Sequence, residues 1–178
     1  MCNKLTVLLT ILIIGCNAHQ NDFKSSNKKG SVEENYNIPD KSLSKKQTEN
    51  LIQEGNTFLA ENKLKEGVIT LQSGVQYKII KKGEGIPATK DQIIKTHYVG
   101  TTIDGKEFDN SIKRGEPFEV EDVNMVIKGW QEVLKIMPKG SKWIVYIPNE
   151  LAYGSLSPTI DIKPYSVLIF EIEIVDIS

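Results

Sequence analysis

The sequence predicts an α+β domain: an antiparallel sheet with one short helix on one face, preceded by a separate N-terminal helix. Two observations predict it. From Gly67 onward, short runs rich in β-branched and aromatic residues alternate with turn residues. A single stretch, VIKGWQEVLKIM at 126–137, breaks that pattern with apolar residues spaced three and four apart. Strand runs around one amphipathic helix are the pattern of a sheet that buries one face under a helix. The chain has 178 residues, 39% of them hydrophobic, enough for one ordinary domain and an appendage. No internal repeat is present.

The first elements are not part of that domain. Lys4 precedes the apolar run LTVLLTILII at 5–14, which ends in Gly15-Cys16. The run is shorter than the roughly 20 residues needed to span a bilayer and has the proportions of a signal-peptide core. Ile13-Ile14-Gly15-Cys16 resembles a bacterial lipobox. That resemblance implies a signal peptide over 1–15, cleavage before Cys16 and lipidation of its thiol, which tethers a protein to a membrane without threading it through. It places the protein in a bacterial cell envelope, on the periplasmic or surface side. Residues 16–43 are dominated by Asn, Ser, Lys and Glu and read as a flexible tether, because they hold too little apolar surface to offset ordering entropy.

A helix is expected over 44–64. Ser44 and Gln47 fit a capping box, and Leu51, Ile52, Phe58 and Leu59 share a face with Gly55. This stripe serves either to pack the helix on the following domain or as a homodimer arm in place of a monomer. The expected domain, 65–178, then holds strand runs at 68–72, 75–80, 93–103, 106–108, 118–121, 142–148 and 167–175. Asp104-Gly105 joins the third and fourth runs and predicts a type I′ turn. Leu168, Phe170, Ile172 and Ile174 mark the buried side of the last run. In the 126–137 helix, Ile127, Trp130, Val133, Leu134 and Met137 form the apolar face, and Pro138-Lys139-Gly140 ends it.

Several chemistries find no support. Lys+Arg 22 against Asp+Glu 23 gives no global reason to expect nucleic-acid binding. The two cysteines, Cys2 and Cys16, both lie at the N-terminus, so the domain has no thiolate nucleophile, disulfide or cysteine zinc site. No Walker A, G-x-S-x-G, H-E-x-x-H or G-x-G-x-x-G pattern occurs. His97, in a strand run, reads as a hydrogen-bonded core or edge residue. An enzyme of this composition is expected to work without metal or organic cofactor.

What remains is a set of aromatic residues beside turns and glycines: HYVGTTIDGKEFDNS, VIKGWQEVL and IPNELAYGS, with VQYKIIKKGEG before them. In this order they closely resemble FKBP-type peptidyl-prolyl cis–trans isomerases from about Gly67 to Ser178. Residues 58–77 further resemble the macrophage-infectivity-potentiator branch, in which a helix leads into the isomerase domain. The resemblance implies an antiparallel half-barrel wrapped around the short helix, an apolar pocket between them, and proline-containing polypeptides as substrates, with macrolides as candidate inhibitors. Trp130 then matches the pocket floor. Tyr98, Phe108, Phe118, Val126, Ile127, Ile162 and Phe170 match its walls. Tyr153 matches a hydroxyl donor at the rim, and the Ile127 N–H a second donor. Asp109 matches the polar edge, and Arg114 a partner for that acid. Three features depart from the family pattern: Val120 replaces a common aromatic, Asp161 a common aliphatic, and the segment 155–165 lacks the usual glycine-rich, paired-proline character. The competing expectation is a proline-recognising chaperone or binding module with little isomerase activity.

Overall fold

The structure is a computed structural model in which residues 43–178 are described. The signal peptide, Cys16 and nearly all of the expected tether lie outside the described residues. Helix α1 spans Lys45–Asn62, and the capping box is formed: Gln47 N–H donates to Ser44 Oγ, while Ser44 N–H donates to Gln47 Oε1 at 2.8 Å. Seven strands follow among the described residues. They are β1 (Val68–Thr70), β2 (Gln76–Lys81), β3 (Ile94–Thr102), β4 (Glu107–Asn110), β5 (Phe118–Val120), β6 (Lys142–Ile147) and β7 (Leu168–Ile177). They form one antiparallel sheet in the order β1-β2-β6-β7-β3-β4, with β5 also paired to β3.

Burial alternates strictly along the central strands, as expected of a sheet with one face on the core. Ile94, Thr96, Tyr98, Gly100 and Thr102 point inward from β3; Leu168, Phe170, Ile172 and Ile174 do so from β7. Helix α3, Lys128–Leu134, covers that face with Trp130, Val133 and Leu134. It is shorter than the predicted 126–137, but Ile127 and Met137 at its ends are buried as the apolar spacing requires.

Gly129 explains how the helix comes so close. A Cβ there would collide with three side-chain atoms of Ile147 on β6, two of them at 2.8 Å. The helix backbone therefore lies directly on the sheet. Helix α1 uses the same device, with Gly55 buried against Val167. Its apolar stripe is turned onto its own domain: Phe58 meets Tyr146 at 6.1 Å, and Asn62 Nδ2 donates to Gln76 Oε1 at 2.9 Å. Among the two uses expected of the stripe, packing on the domain is the one these contacts display.

Two local expectations are corrected. Gly105 alone in the Asp104-Gly105 turn has positive φ, at 81°, so the connection is not type I′. Gly105 N–H donates to the Thr102 carbonyl and Thr102 N–H to that of Lys106, a type I turn closed by a left-handed glycine. Asp104 Oδ1 accepts from Thr102 Oγ1 and from Lys106 N–H, which ties its side chain to both ends of the turn. The polar segment between the 106–108 and 118–121 runs, where no helix is expected, is also not all loop. It holds helix α2, Ser111–Arg114, capped by Asn110, whose side chain accepts from Ile112 and Lys113 N–H, and closed by Gly115 at φ 84°.

The fit of α3 on β6 makes a sign-specific prediction. Gly129→Ala gains about 1 kcal/mol of helix propensity, but overpacking a rigid β-branched neighbour costs roughly 1–3 kcal/mol. Urea denaturation should show net destabilisation.

Candidate functional site

The helix-covered face carries an aromatic box centred on Trp130, which is fully buried. Tyr98 and Phe170 meet its ring edge-to-face at 5.2 and 5.3 Å, and Phe118 at 6.3 Å. Phe108 extends the box through a T-shaped contact with Phe170 at 5.6 Å. Such pairs are stabilised by ring quadrupoles beyond simple burial. Val126, Ile127 and Ile162 are buried in the same cluster, and Tyr153 packs against it. Residues expected to line one pocket from seven separate places in the chain thus share one apolar cluster. The Trp130 Nε1–H is buried without an acceptor, an uncommon state that calls for a local reason.

The aromatic–acid neighbours Phe108 and Asp109 reach the same face through a bulge. Gly100 pairs with Asp109, but Thr101 pairs with Glu107, leaving Phe108 as an extra residue. An extra residue interrupts the alternation of sides. Phe108 therefore lies over Gly100, where a Cβ would come within 2.6 Å of its ring. Asp109 turns to accept a hydrogen bond from the Tyr98 hydroxyl. Gly100 is needed for this close approach.

Asp109 is the centre of the polar edge. Arg114 donates to its Oδ1, and Arg114 Nη2 also donates to the Tyr98 hydroxyl oxygen at 3.1 Å. The guanidinium carbon sits 5.4 Å from the Tyr98 ring centroid, within cation–π range. Asp109 is only 11% exposed, whereas the Arg114 side chain that donates to it is 36% exposed, so the carboxylate is shielded and its cationic partner faces solvent. Burial, reinforced by Asp109, raises the Tyr98 pKa well above the ordinary phenol value. Burial and then the Asp109 charge do the same for Tyr153. Both phenols therefore hold their protons to more alkaline pH than an ordinary tyrosine.

Some supporting residues carried no sequence signal. Ser111 is fully buried: its Oγ accepts from Tyr98 N–H at 2.8 Å and lies 3.0 Å from His97 Nδ1. It ties β3 to α2 and hence Tyr98 to Arg114. His97 is the hydrogen-bonded strand residue expected. Gln131 Nε2 donates to the carbonyls of Val126, at 2.8 Å, and Asn124. It fixes the extended approach to α3. The first bonds of that helix run from Trp130 and Gln131 N–H to the Ile127 carbonyl, so the Ile127 N–H stands ahead of the helical ladder. Among the departures, Val120 is buried on β5, and Asp161 forms an ion pair with Lys106 at 2.6 Å, joining the 155–165 loop to the β3–β4 hairpin. Among the described residues, no cluster of three His, Cys, Asp or Glu side chains could hold a metal ion.

A half-barrel-like sheet closed on a short helix by this aromatic box defines a class. Residues 84–175 match the family described as FKBP-type peptidyl-prolyl cis-trans isomerase, and the chain belongs to that family. Residues 12–79 match the domain amino terminal to that isomerase. The chain is 50% identical over 125 residues to the FKBP-type 22 kDa peptidyl-prolyl cis-trans isomerase of Escherichia coli, covering 70% of this chain and 60% of that protein. It is 44% identical over 124 residues to the outer membrane protein MIP of Legionella longbeachae, covering 70% and 53%. The match to MIP supports the macrophage-infectivity-potentiator branch. The chain thus spans little more than half the length of these relatives. Among solved structures, FkpA from Escherichia coli aligns with a TM-score of 0.69 at 37% identity, covering 75% of this chain and 62% of that one. A peptidyl-prolyl cis-trans isomerase from Pseudomonas syringae aligns at 0.68 and 35% identity, covering 74% and 96%.

The raised phenols predict an alkaline limit. Unfolded tyrosines ionise near pH 10, whereas Tyr98 and Tyr153 hold their protons in the fold. Above that pH the unfolded chain binds fewer protons, so stability falls as pH rises. Urea midpoints followed upward from neutral pH should drop beyond about pH 10. The drop should be shallower in a Tyr98→Phe/Tyr153→Phe variant.

Proposed function

We propose that the protein is a peptidyl-prolyl cis–trans isomerase that assists the folding of exported proteins. The observation that carries this is the aromatic box over Trp130 with the Tyr98–Asp109–Arg114 set on its edge, in a chain of the FKBP-type family. Trp130 forms the floor for a proline ring. Tyr98, Phe108, Phe118, Val126, Ile127, Ile162 and Phe170 form the walls. The Tyr153 hydroxyl and the Ile127 N–H donate to substrate carbonyls, and Asp109, held by Arg114, orients the polar edge.

The chemistry needs no bond to heavy atoms made or broken. Rotation about a peptide bond faces roughly 18–20 kcal/mol because resonance gives C–N double-bond character. X-Pro bonds occupy both isomers but exchange over tens to hundreds of seconds, as an order of magnitude. In the perpendicular transition state the amide resonance is lost, and its carbonyl is less charge-separated. An apolar site therefore disfavours the planar ground state more than the twisted amide, which is differential binding. Donors aimed at the twisted geometry add to it. Each ~1.4 kcal/mol of such discrimination is worth tenfold in rate.

We further propose that Cys16 is lipidated after removal of residues 1–15, and that residues 16–43 tether the domain to an envelope membrane. The lipobox resemblance and the kinship to an outer membrane protein support this. Among the described residues no helix is long and apolar enough to cross a membrane. Mass spectrometry of the membrane-extracted protein should find acyl chains on Cys16; an unmodified thiol would refute the anchor. Macrolides that present a proline-like ring are proposed to compete for the box.

A protease-coupled assay on short X-Pro peptides tests the activity. Wild type should accelerate exchange. Tyr153→Phe removes one neutral donor and should lower kcat/KM by up to about tenfold. Asp109→Leu removes a charge-assisted anchor and should lower it by about ten- to a hundredfold. Folded wild type that gives no acceleration would leave a proline-binding module as the better reading.

A further inference from the structure

Helix α1 meets the domain beside the segment that carries one wall of the box. A cleft of about 210 Å³ runs between Leu51, Glu54 and Gly55 on α1, residues 160–161 and 163–167, and the β3–β4 hairpin. At its inner end the two sides touch. A Cβ on Gly55 would lie 2.9 Å from Val167 Cγ2 and 4.0 Å from the Tyr165 carbonyl oxygen. Val167 is 2% exposed and β-branched, so it has little room to yield.

Tyr165 is strained at this contact. Its φ of 61° makes it the sole non-glycine in the left-handed region among the described residues. A bulky side chain holds that conformation only when its surroundings over-determine it. From the site side, Tyr165 N–H donates to the Gly154 carbonyl at 2.7 Å, directly after Tyr153. Ser157 Oγ donates to the Ile162 carbonyl at 2.6 Å, and Ile162 N–H donates to the Thr159 carbonyl at 3.2 Å. From the other side stands α1. The clamped segment starts at the wall residue Ile162 and enters β7 two residues before Phe170.

We infer that α1 is a positioning element of the proline site, acting through Gly55 on Val167 and Tyr165 to hold Ile162 and Tyr153 in place. Its kinetic consequence rests on the isomerase reading above; its structural consequence does not. Glycine disfavours a helix interior, and its presence at the middle of α1 is accounted for by this close approach. A larger residue there displaces Val167 and releases the left-handed turn.

The test uses the full chain with Gly55→Leu, Gly55→Leu/Val167→Ala, and Asn56→Leu on the exposed side of α1 as control. Amide hydrogen exchange at Ile162 and Tyr165 should be faster by about tenfold or more in folded Gly55→Leu, as local opening becomes easier. It should return toward wild type when Val167→Ala makes room, and stay unchanged in Asn56→Leu. With X-Pro peptide, KM should rise about fivefold in Gly55→Leu with kcat changed less, the pattern of lost binding-site placement. Should Gly55→Leu fail to fold, Gly55→Ala is read by the same criteria, since its Cβ alone makes the contact. Unchanged exchange in the folded variant, or faster exchange that Val167→Ala does not correct, would overturn the inference. A wild type without turnover would sink the isomerase reading and leave the exchange result to decide this one.

Discussion

The edge-to-face seating of Trp130 against Tyr98 and Phe170 is the contact on which the rest of the molecule depends. It joins the one central helix to the two central strands and closes the core from the helix side. The same rings, with Phe108 and Phe118, make the surface on which a proline ring is proposed to rest. Stability and function therefore draw on one set of side chains. That economy imposes constraints elsewhere. Gly129 must be small for the helix to descend onto Ile147, and Gly100 must be small for Phe108 to lie over β3.

The polar edge follows from the same arrangement. Tyr98 is fixed at its ring by Trp130, at its backbone by Ser111 and at its hydroxyl by Asp109. Arg114 then completes the edge from the short helix that Ser111 begins. An acid beside an aromatic looks misplaced in a strand that alternates strictly. The bulge at Phe108 removes the conflict by letting both neighbours serve the face proposed to bind.

Much of this was legible in the sequence because its signals are periodic. The alternation of Leu168, Phe170, Ile172 and Ile174 gives the buried side of β7, and the spacing of Ile127, Trp130, Val133, Leu134 and Met137 gives α3. The box residues were located by resemblance, since no periodicity joins Tyr98 to Ile162. Features set by single bonds or tertiary contact were not legible. Asp104-Gly105 suits several turns, and the residue pair alone does not say that only Gly105 takes positive φ. Helix α2 is one turn long and depends on an Asn110 cap within a polar run. Ser111 and Gln131 act through partners distant in sequence or on the backbone, which no residue pattern announces. The left-handed Tyr165 is visible only where α1 and Gly154 close on it.

Everything proposed for this site requires that proline rings dock on Trp130. The most direct measurement follows the indole Nε1–H resonance of Trp130 by NMR, assigned with Trp143→Phe, while an X-Pro peptide is titrated in. That N–H is buried and lacks an acceptor, so it reports changes at the floor with little interference from solvent. The Trp130 indole resonance should shift saturably with the X-Pro peptide and not at all with the X-Ala peptide of the same length. An indole resonance that stays fixed, or that moves equally with both peptides, would contradict it.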